Sequence, residues 1–394
     1  MKVNGFLKDV LGSSRVVKTR RELINNASAE NLYSDPIKAV ARELHPDKTD
    51  VRCVKVEDVS PTARKYTFEA VNGDVLPPFQ CGQYVSFDLK IGSTETTRPY
   101  SICSAPWQAR TGEHPFFEIT VRNGRRDEGF VSVWFYENVR EGDEFTAHLP
   151  FGQFYYEPLR DSADIVALAG GSGITPFYSM AQEIAHGTLD CSLTILYGSV
   201  SAKDIILEKQ LNEINCDRVR FINVISGDED YDGEKGFLTA DLIRKYSGED
   251  TTYFVCGPLA MYHFVRGELE KLNVPAKRIR MEVFGAPRDI TKADGYPQTE
   301  PGVYSLTVVR GIEETVIPAS SLEPLAVSLE RAAIPNNTRC RSGACGFCRC
   351  KVIEGDVFVP AEGDGRRYAD KLHGYVHACS AYPLSDVKIR IPIK

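Results

Sequence analysis

The chain has 394 residues, 42% of them hydrophobic, which is enough for two or three domains with buried cores and excludes an intrinsically disordered protein. Its formal net charge is −7 and both signs are mixed along the chain, so a basic nucleic-acid-binding surface is not expected. The sequence contains neither an apolar run as long as a membrane-spanning helix nor a signal peptide, and we expect a cytoplasmic protein with no membrane partner.

Residues 1–48 are predicted to be an N-terminal helical extension. The basic stretch at its start is interpreted as a solvated arm. Residues 35–46 carry a helix signal, because Asp35 can cap the N-terminus, Pro36 suits the first turn, and the apolar residues that follow recur with helical spacing. We expect a short docking helix there.

Residues 49–157 contain short segments of alternating polarity separated by Gly, Pro and Asp turns, a spacing typical of a small antiparallel barrel. The segment 127–139 breaks this pattern and is predicted to be a helix. From 158 to 287, apolar strands alternate with amphipathic helices, which predicts an α/β domain with a parallel sheet covered on both faces.

A polar segment rich in Pro and Gly, 288–302, is predicted to be a linker. Residues 303–394 then form a third unit of two strands, a helix, a cysteine-rich loop and closing strands, which predicts an α+β domain. The expected fold is therefore multidomain, with a helical extension followed by a β-barrel, an α/β domain and an α+β domain.

Three turns of the α/β domain follow strands and are expected to meet in one crevice. GGSGITP (170–176) joins a strand to a helix, where backbone N–H groups and the helix dipole bind a dinucleotide diphosphate. YGS (197–199) and CGP (256–258) end two other strands, and the carboxyl ends of parallel strands lie at one edge of the sheet. Taken alone, GGSGITP is explained nearly as well by a tight structural turn.

RPYSICS (98–104) places an arginine and an aromatic residue on one face of a barrel strand. An arginine suits a phosphate and an aromatic residue suits a flat ring, although a charged edge strand with a core tyrosine fits the same spacing. Gly129 and Ser132 lie in the first turn of the predicted helix, which is a second position where an anion can bind.

Four of the eleven cysteines lie in CRSGACGFCRC (340–350). An odd cysteine count in a reducing compartment favours metal ligands over disulfides. The C-x4-C-x2-C spacing is that of a plant-type [2Fe-2S] loop, and Gly343 and Gly346 allow the loop to curl so that N–H groups point at the sulfurs. The predicted ligands are Cys340, Cys345, Cys348 and Cys379.

Zinc is the main alternative for this loop, with a Cys3His set made of Cys345, Cys348, His377 and Cys379. A zinc site would leave Cys340 without a function, which makes it the weaker interpretation. Cys350 follows the loop on the next strand and is interpreted as a small core residue.

These motifs occur in the order of a known family. The chain resembles the ferredoxin-NADP reductase superfamily, in the form with a C-terminal plant-type ferredoxin domain that is found in oxygenase reductases and hybrid-cluster-protein reductase. The resemblance covers about residues 50–394 and depends on RPYS, GGSGITP, CGP and the four-cysteine pattern. It implies a FAD-binding barrel, an NAD(P)H-binding α/β domain and a β-grasp-like [2Fe-2S] ferredoxin domain.

The resemblance also implies a flavin site. Arg98 would bind the flavin phosphate, Tyr100 would lie against the isoalloxazine ring, and Ser101 would lie near N5. The segment 129–132 resembles the one that binds the second phosphate of FAD, which favours FAD over FMN. The implied flavin-site residues are Arg98, Pro99, Tyr100, Ser101, Ile102, Val121, Gly129, Phe130, Val131 and Ser132.

Ser101, Cys256 and Glu282 are implied at the hydride-transfer site, with Phe284 in the aromatic position beside them. Alternatively, Cys256 is a buried strand-end thiol and Glu282 a surface carboxylate. The implied nicotinamide-nucleotide site consists of Gly171, Ser172, Gly173, Ile174, Thr175, Pro176, Tyr197, Gly198, Ser199, Gly257 and Pro258.

NADH is favoured over NADPH, because the segment after YGS lacks the arginine that relatives often carry for the 2′-phosphate, although Arg218 or Arg220 can serve. NADH delivers a hydride and a [2Fe-2S] cluster accepts single electrons, so a flavin has to lie between them. We predict an oxidoreductase that transfers electrons from NADH through FAD and a [2Fe-2S] cluster to a partner redox protein. The alternatives are a self-sufficient flavin reductase acting on a small acceptor and a non-redox zinc- and NAD-binding module.

Overall fold

The structure, a computed structural model, forms two units, Met1–Leu44 and His45–Lys394. The described residues are 5–26, 35–44, 46, 48–71, 75–124, 129–283, 285–287, 289–297 and 300–392.

The described residues of the first unit form two helices, α1 (Phe6–Asn25) and α2 (Pro36–Leu44). The start of α2 confirms the predicted cap, since the Asp35 carboxylate accepts hydrogen bonds from the N–H groups of Ile37 and Lys38, both at 3.1 Å. The side chains of α1 from Lys8 to Asn25 are exposed, as expected of a solvated arm in a helical extension. The bounds of α1 were not predicted, because the weak helix formers at 12–14, Gly-Ser-Ser, interrupt its pattern.

The second unit begins with the predicted antiparallel barrel. Its strands pair in the order β4-β3-β6-β1-β2-β5, and a bridge between Ile102 and Ile119 connects the end of β4 to β5. Phe68, Phe87 and Phe135 pack in the barrel core. The elements are β1 (Thr49–Ser60), β2 (Ala63–Ala70), β3 (Tyr84–Ile91), β4 (Thr94–Ser101), β5 (Phe116–Arg122), α3 (Phe130–Asn138) and β6 (Glu144–Phe151).

The α/β domain has the predicted parallel sheet, in the order β10-β9-β8-β7-β11-β12, with an apolar core on each face. The strand order reverses between β7 and β11, which is where ligands bind in such sheets. The elements are β7 (Asp164–Gly170), α4 (Thr175–His186), β8 (Ser192–Ser199), α5 (Glu208–Asn212), β9 (Val219–Ile225), β10 (Glu234–Lys235), α6 (Ala240–Lys245), β11 (Thr251–Cys256), α7 (Leu259–Lys271) and β12 (Ile279–Met281).

The C-terminal α+β domain has a mixed sheet in the order β14-β13-β19-β15-β17 and a small ribbon, β16-β18, with one helix packed on the sheet core. The elements are β13 (Val303–Arg310), β14 (Glu313–Ser320), α8 (Leu325–Arg331), β15 (Arg349–Glu354), β16 (Val357–Phe358), α9 (Tyr368–Leu372), β17 (Tyr375–His377), β18 (Tyr382–Pro383) and β19 (Val387–Arg390).

The predicted linker is partly packed rather than free. Ile290 and Tyr296 are buried with Tyr382 of the C-terminal domain, and the Tyr296 hydroxyl donates a hydrogen bond to the backbone carbonyl of Ser321 at 3.2 Å. Two apolar side chains in an otherwise polar segment therefore attach it to the domain that follows.

Candidate functional site

The strand-to-helix turn that follows β7 lies against the turn that follows β11. A Cβ atom at Gly173 would lie 2.1 Å from the carbonyl oxygen of Cys256, and one at Gly170 would lie 2.5 Å from the sulfur of Met261. Only glycine allows the backbone to approach this closely. The result is a crevice lined by backbone groups at the start of α4, which fits the diphosphate of a dinucleotide.

The third predicted turn, at the end of β8, contributes backbone groups to the same crevice. The ring of Tyr197 is buried in the domain core, whereas Gly198 and Ser199 are half-buried. On the neighbouring turn, the Thr175 hydroxyl donates to the carbonyl of Ser172 at 2.9 Å. The three turns thus end at adjacent strands, as their positions in the sequence predicted.

In the barrel, Arg98 and Tyr100 share one face of β4, since their partners in β3 are the core residues Phe87 and Val85. The Tyr100 ring lies 5.4 Å from that of Phe135 in α3, and its hydroxyl lies beside Ser132 in the first turn of that helix. The strand and the start of α3 therefore form one site, with an aromatic ring, a guanidinium group and a helix N-terminus.

Positive charge is concentrated beside this site. One Nη atom of Arg98 donates to the carbonyl of Thr97 at 2.7 Å, and the same carbonyl lies 3.5 Å from an Nη atom of Arg341 in the cysteine loop. Burial, and then the neighbouring Arg341, lower the pKa of Arg98 to about 10. Arg341 is paired with Glu330, so the two guanidinium groups share one carboxylate, which fits a site for an anion such as a flavin phosphate.

The remaining flavin-site predictions fall into two groups. Ser101 and Pro99 lie on the opposite face of β4 from Arg98, and Phe130 is exposed. The side chains buried in the barrel core, which support the site rather than line it, are Ile102, Val121 and Val131.

Cys256 and Glu282 lie together at the ends of β11 and β12. The Tyr262 hydroxyl donates to the carbonyl of Glu282 and accepts from the N–H of Gly257 at 3.2 Å, which joins the two segments. Burial, and then the nearby Cys340, raise the pKa of Glu282 well above its usual value. Sequence reasoning missed Tyr262, and Phe284 lies outside the described residues.

The four predicted cluster ligands lie together. Their thiols form a continuous set, since Cys340 neighbours Cys345 and Cys379, and Cys379 also neighbours Cys348. All are free, and Cys345 is the most exposed of the four. Four unpaired thiols, three from the loop and one from Cys379, are the donor set that a [2Fe-2S] cluster requires.

The loop backbone has the predicted curvature. Gly343 and Gly346 have φ angles of 76° and 77°, in the left-handed region. The N–H of Gly343 points at the sulfur of Cys379, at 3.3 Å, and the N–H of Cys345 at the sulfur of Cys340, at 3.4 Å. Such N–H groups stabilise the negative charge of cluster thiolates.

The zinc alternative would leave out Cys340, yet the Cys340 thiol adjoins those of Cys345 and Cys379. The Nδ1 atom of His377, the histidine of that alternative, forms a hydrogen bond with the carbonyl of Gly343 at 2.5 Å. Cys350 is buried in the domain core, as expected of a residue that is not a ligand.

A cleft of about 690 Å³ lies where the barrel, the α/β domain and the cysteine loop meet. Its volume is in the range of cofactor sites. It brings Glu282 next to Cys340 and Cys345, and Tyr84, another lining residue, is the cross-strand partner of Ser101. Glu282, one of the predicted hydride-transfer residues, therefore shares one chamber with the cysteine loop, whereas Ser101 and Cys256 do not line it.

Contacts from two domains position the cysteine loop. The Thr97 hydroxyl donates to the carbonyl of Thr338 at 2.7 Å, and the buried Arg339 lies 3.7 Å from Asp88. On the other side, Glu362 forms ion pairs with His263 and Arg266 of α7, at 3.6 and 3.8 Å. The C-terminal domain is thus attached to both the barrel and the α/β domain.

This fold and site define a flavin- and nicotinamide-dependent iron–sulfur oxidoreductase. Family models match in the corresponding order: an oxidoreductase FAD-binding domain over 50–156, an oxidoreductase NAD-binding domain over 167–267, and a 2Fe-2S iron-sulfur cluster binding domain over 309–384. The chain belongs to the ferredoxin-NADP reductase superfamily, as a reductase that uses FAD, a [2Fe-2S] cluster and NAD(P)H to pass electrons to a partner protein.

Curated relatives match this chain over most of their own length. The chain is 28% identical to the glycine betaine monooxygenase reductase subunit of Chromohalobacter salexigens, covering 86% of this chain and 94% of the relative. It is 28% identical to the ferredoxin reductase component of 3-ketosteroid-9-alpha-monooxygenase of Mycobacterium tuberculosis, with the same coverage. It is 27% identical to NADH oxidoreductase HCR of Escherichia coli, covering 79% of this chain and 88% of the relative.

The fold is that of a solved reductase. Phthalate dioxygenase reductase superposes with a TM-score of 0.62 at 21% identity, over 88% of this chain and 98% of that structure. Within the described residues, no helix combines the length and apolar character that crossing a membrane requires.

Proposed function

We propose that the chain is the NADH-dependent reductase component of a cytoplasmic oxygenase system, and that its acceptor is the oxygenase component. Relatives in three bacteria are named as reductase subunits of monooxygenases, which supports this acceptor class. Eleven free cysteines support a reducing compartment. The observation that carries the proposal is the shared cleft, in which Glu282 lies beside Cys340 and Cys345.

The residue functions follow from the geometry. We assign Arg98 and the first turn of α3 to the flavin phosphates, because both present positive charge or N–H groups to one site. Tyr100 orients the flavin from the face of β4 that carries Arg98, and Ser101 does so from the end of the strand, opposite Tyr84 of the cleft. When bound, the flavin accepts a hydride and releases electrons singly, which links NADH to a one-electron cluster.

On the nicotinamide side, Cys256 and Glu282 exclude water and position the ring. Cys256 is buried and Glu282 is half-buried, and Tyr262 holds their backbone segments together. Glycines at 170, 173 and 257 admit the diphosphate to the backbone. These contacts bring the donor carbon to the flavin, which is the main contribution that a protein makes to a hydride transfer between two cofactors.

The preference for NADH is supported by the turn after β8. The carboxylate of Asp228 accepts a hydrogen bond from the N–H of Ala202 at 2.7 Å, so a negative charge lies on the turn where a 2′-phosphate would bind. Arg218 and Arg220 lie at the start of β9, at the end of the sheet away from this turn. Arg218 is also engaged with Asp190 at 3.1 Å.

The test of the electron path compares wild-type protein with Cys345→Ser. NADH should reduce the flavin of both proteins, and about tenfold faster than NADPH does, because the turn after β8 has no arginine for a 2′-phosphate and carries the carboxylate of Asp228. The variant should lose most cytochrome c reduction and keep ferricyanide reduction, since ferricyanide takes electrons from the flavin. Equal cytochrome c rates in the two proteins would favour the self-sufficient flavin reductase instead.

A further inference from the structure

A row of side chains crosses the barrel sheet beside the predicted flavin site. Tyr84 of β3 is the cross-strand partner of Ser101 in β4 on one side and of Phe151 in β6 on the other. Side chains that face each other across antiparallel strands lie on the same face of a sheet. Ser101, Tyr84 and Phe151 therefore form one row across the ends of three neighbouring strands.

Phe347 of the cysteine loop extends this row beyond the barrel. Its ring lies 5.1 Å from the ring of Phe151, at an interplanar angle of 70°, and the Phe151 ring lies 5.9 Å from that of Tyr84. Both separations are those of aromatic rings in contact. The three rings thus connect the strand beside Ser101 to the loop that carries the cluster ligands.

Phe347 is not held in place by the core of its own domain. It lies outside the buried core of the C-terminal domain and is 45% exposed, and among the described residues its one ring contact is Phe151. The N–H of Phe347 lies beside the sulfur of Cys345, and Cys348 follows it in sequence. A shift of the Phe347 ring would therefore move the ligands on either side of it.

All three aromatic residues line the cleft that contains Cys340, Cys345 and Glu282. Tyr84 is buried and Phe151 half-buried, so both rings have fixed surroundings. Because we assign Ser101 to the flavin and Cys345 to the cluster, the row spans the space between the two redox sites.

We propose that Tyr84, Phe151 and Phe347 are positioning residues for the internal electron transfer, and that their ring contacts fix the distance between the cluster loop and the flavin. The inference rests on the proposed function, since it concerns the step from flavin to cluster. In that step one electron moves from the flavin that NADH has reduced to the oxidised cluster, so the flavin is oxidised and the cluster reduced by one electron. The second electron follows when an external one-electron acceptor has reoxidised the cluster.

The kinetic test follows single-turnover reduction of the holoprotein by NADH in Phe347→Leu. Leucine keeps the apolar character but lacks the ring that reaches Phe151. The flavin phase should keep its wild-type rate, and the flavin-to-cluster phase should slow about tenfold, because the rate of transfer depends steeply on position. Phe347→Tyr retains the ring and should keep both rates. Equal flavin-to-cluster rates in Phe347→Leu and the wild type would overturn the proposal.

Damage to the cluster has to be distinguished from loss of positioning, since Phe347 lies between two ligands. The electron paramagnetic resonance signal and the reduction potential of the cluster should be those of the wild type in Phe347→Leu. If either changes, Phe151→Leu decides, because Phe151 belongs to the barrel and is not part of the ligand loop. It should slow the same phase, and a wild-type rate in this variant would overturn the proposal.

A double variant tests the contact itself. Phe151→Leu and Phe347→Leu remove the same contact from its two sides, so the double variant should transfer electrons to the cluster about as slowly as either single variant. Effects that multiply in the double variant would show that the two residues act independently, which contradicts a shared contact.

The matched control is Phe358→Leu. Phe358 forms a similar edge-on aromatic pair with Tyr296, at 5.2 Å and 86°, and does not line the cleft. This variant should keep both phases at their wild-type rates. Equal slowing in the control would show that the loss of any ring contact disturbs the transfer, and would overturn the proposal.

Failure of this inference and failure of the proposed function give different results. If NADH reduces neither the flavin nor the cluster of the wild-type protein, the proposed function is wrong. If both centres are reduced at the same rates in the wild type and in the leucine variants, only the positioning inference is wrong.

Discussion

Gly173 shows how strongly one residue constrains the nucleotide crevice. If Gly173 carried a Cβ atom, that atom would lie only 2.1 Å from the carbonyl oxygen of Cys256 and 2.4 Å from its carbonyl carbon. Both atoms belong to the backbone, so Gly173→Ala has to move one of the two turns. We expect a loss of about 1–3 kcal/mol in the free energy of unfolding and a higher KM for NADH. Thermal unfolding and steady-state kinetics measure the two effects.

Gly267→Ala is the matched control, because a Cβ atom at Gly267 in the middle of α7 meets nothing within 4 Å. Alanine is the better helix former by about 0.5–1 kcal/mol, so this variant should be slightly more stable and keep the wild-type KM for NADH. If both variants unfold at the same temperature, the close approach at Gly173 has no energetic consequence.

At this scale, the residues with a sequence signature were predicted and those without one were not. The cysteine spacing, the glycine turns and RPYS each follow from local chemistry. Tyr84 and Tyr262 carry no motif, because their positions depend on the packing of separate segments: Tyr84 lines the cleft that contains Glu282 and Cys340, and Tyr262 joins Gly257 to Glu282.

At the scale of elements, the attachment of the cysteine loop to β3 and β4 should set the rate of electron transfer from flavin to cluster. Asp88 lies 3.7 Å from Arg339 of the loop and 2.8 Å from His148 of β6. Asp88→Asn removes the charge that faces the buried Arg339. We expect the flavin-to-cluster step to slow severalfold and the domain contact to weaken by about 1 kcal/mol, as for a half-exposed ion pair. Reduction of the flavin by NADH should be unchanged in stopped-flow traces.

Glu144→Gln is the control, since it breaks the pair of Arg52 and Glu144, which joins β1 to β6 with both side chains about half-exposed. It should leave both phases of reduction unchanged. Slowing of both phases in Asp88→Asn would instead indicate damage to the barrel itself.

Two segments show where packing limits what periodicity can predict. Irregularities in the pairing of β1, at 53–55 and 58–60, interrupt its alternation of polar and apolar residues. The segment 203–214 has apolar residues at helical spacing, but only α5, Glu208–Asn212, forms, since the apolar residues at 205–207 are buried before the helix begins. Packing overrode the helical pattern there.

At the scale of the whole molecule, the order of the domains was predictable from the order of motifs, but their arrangement was not. It depends on contacts such as Thr97 with Thr338 and Glu362 with α7, which no periodicity encodes. These contacts place a two-electron site and a one-electron site around one cleft. That arrangement is the physical basis for the reductase function.

The most direct test of this account is an anaerobic titration of the purified holoprotein with dithionite, followed by absorbance and electron paramagnetic resonance. A flavin that takes two electrons and a [2Fe-2S] cluster that takes one predict an uptake of about three electrons per chain, with a paramagnetic signal from the reduced cluster. NADH should then reduce the flavin and generate the same signal. Uptake of about two electrons with no cluster signal would contradict the account, because the chain would then have no one-electron centre.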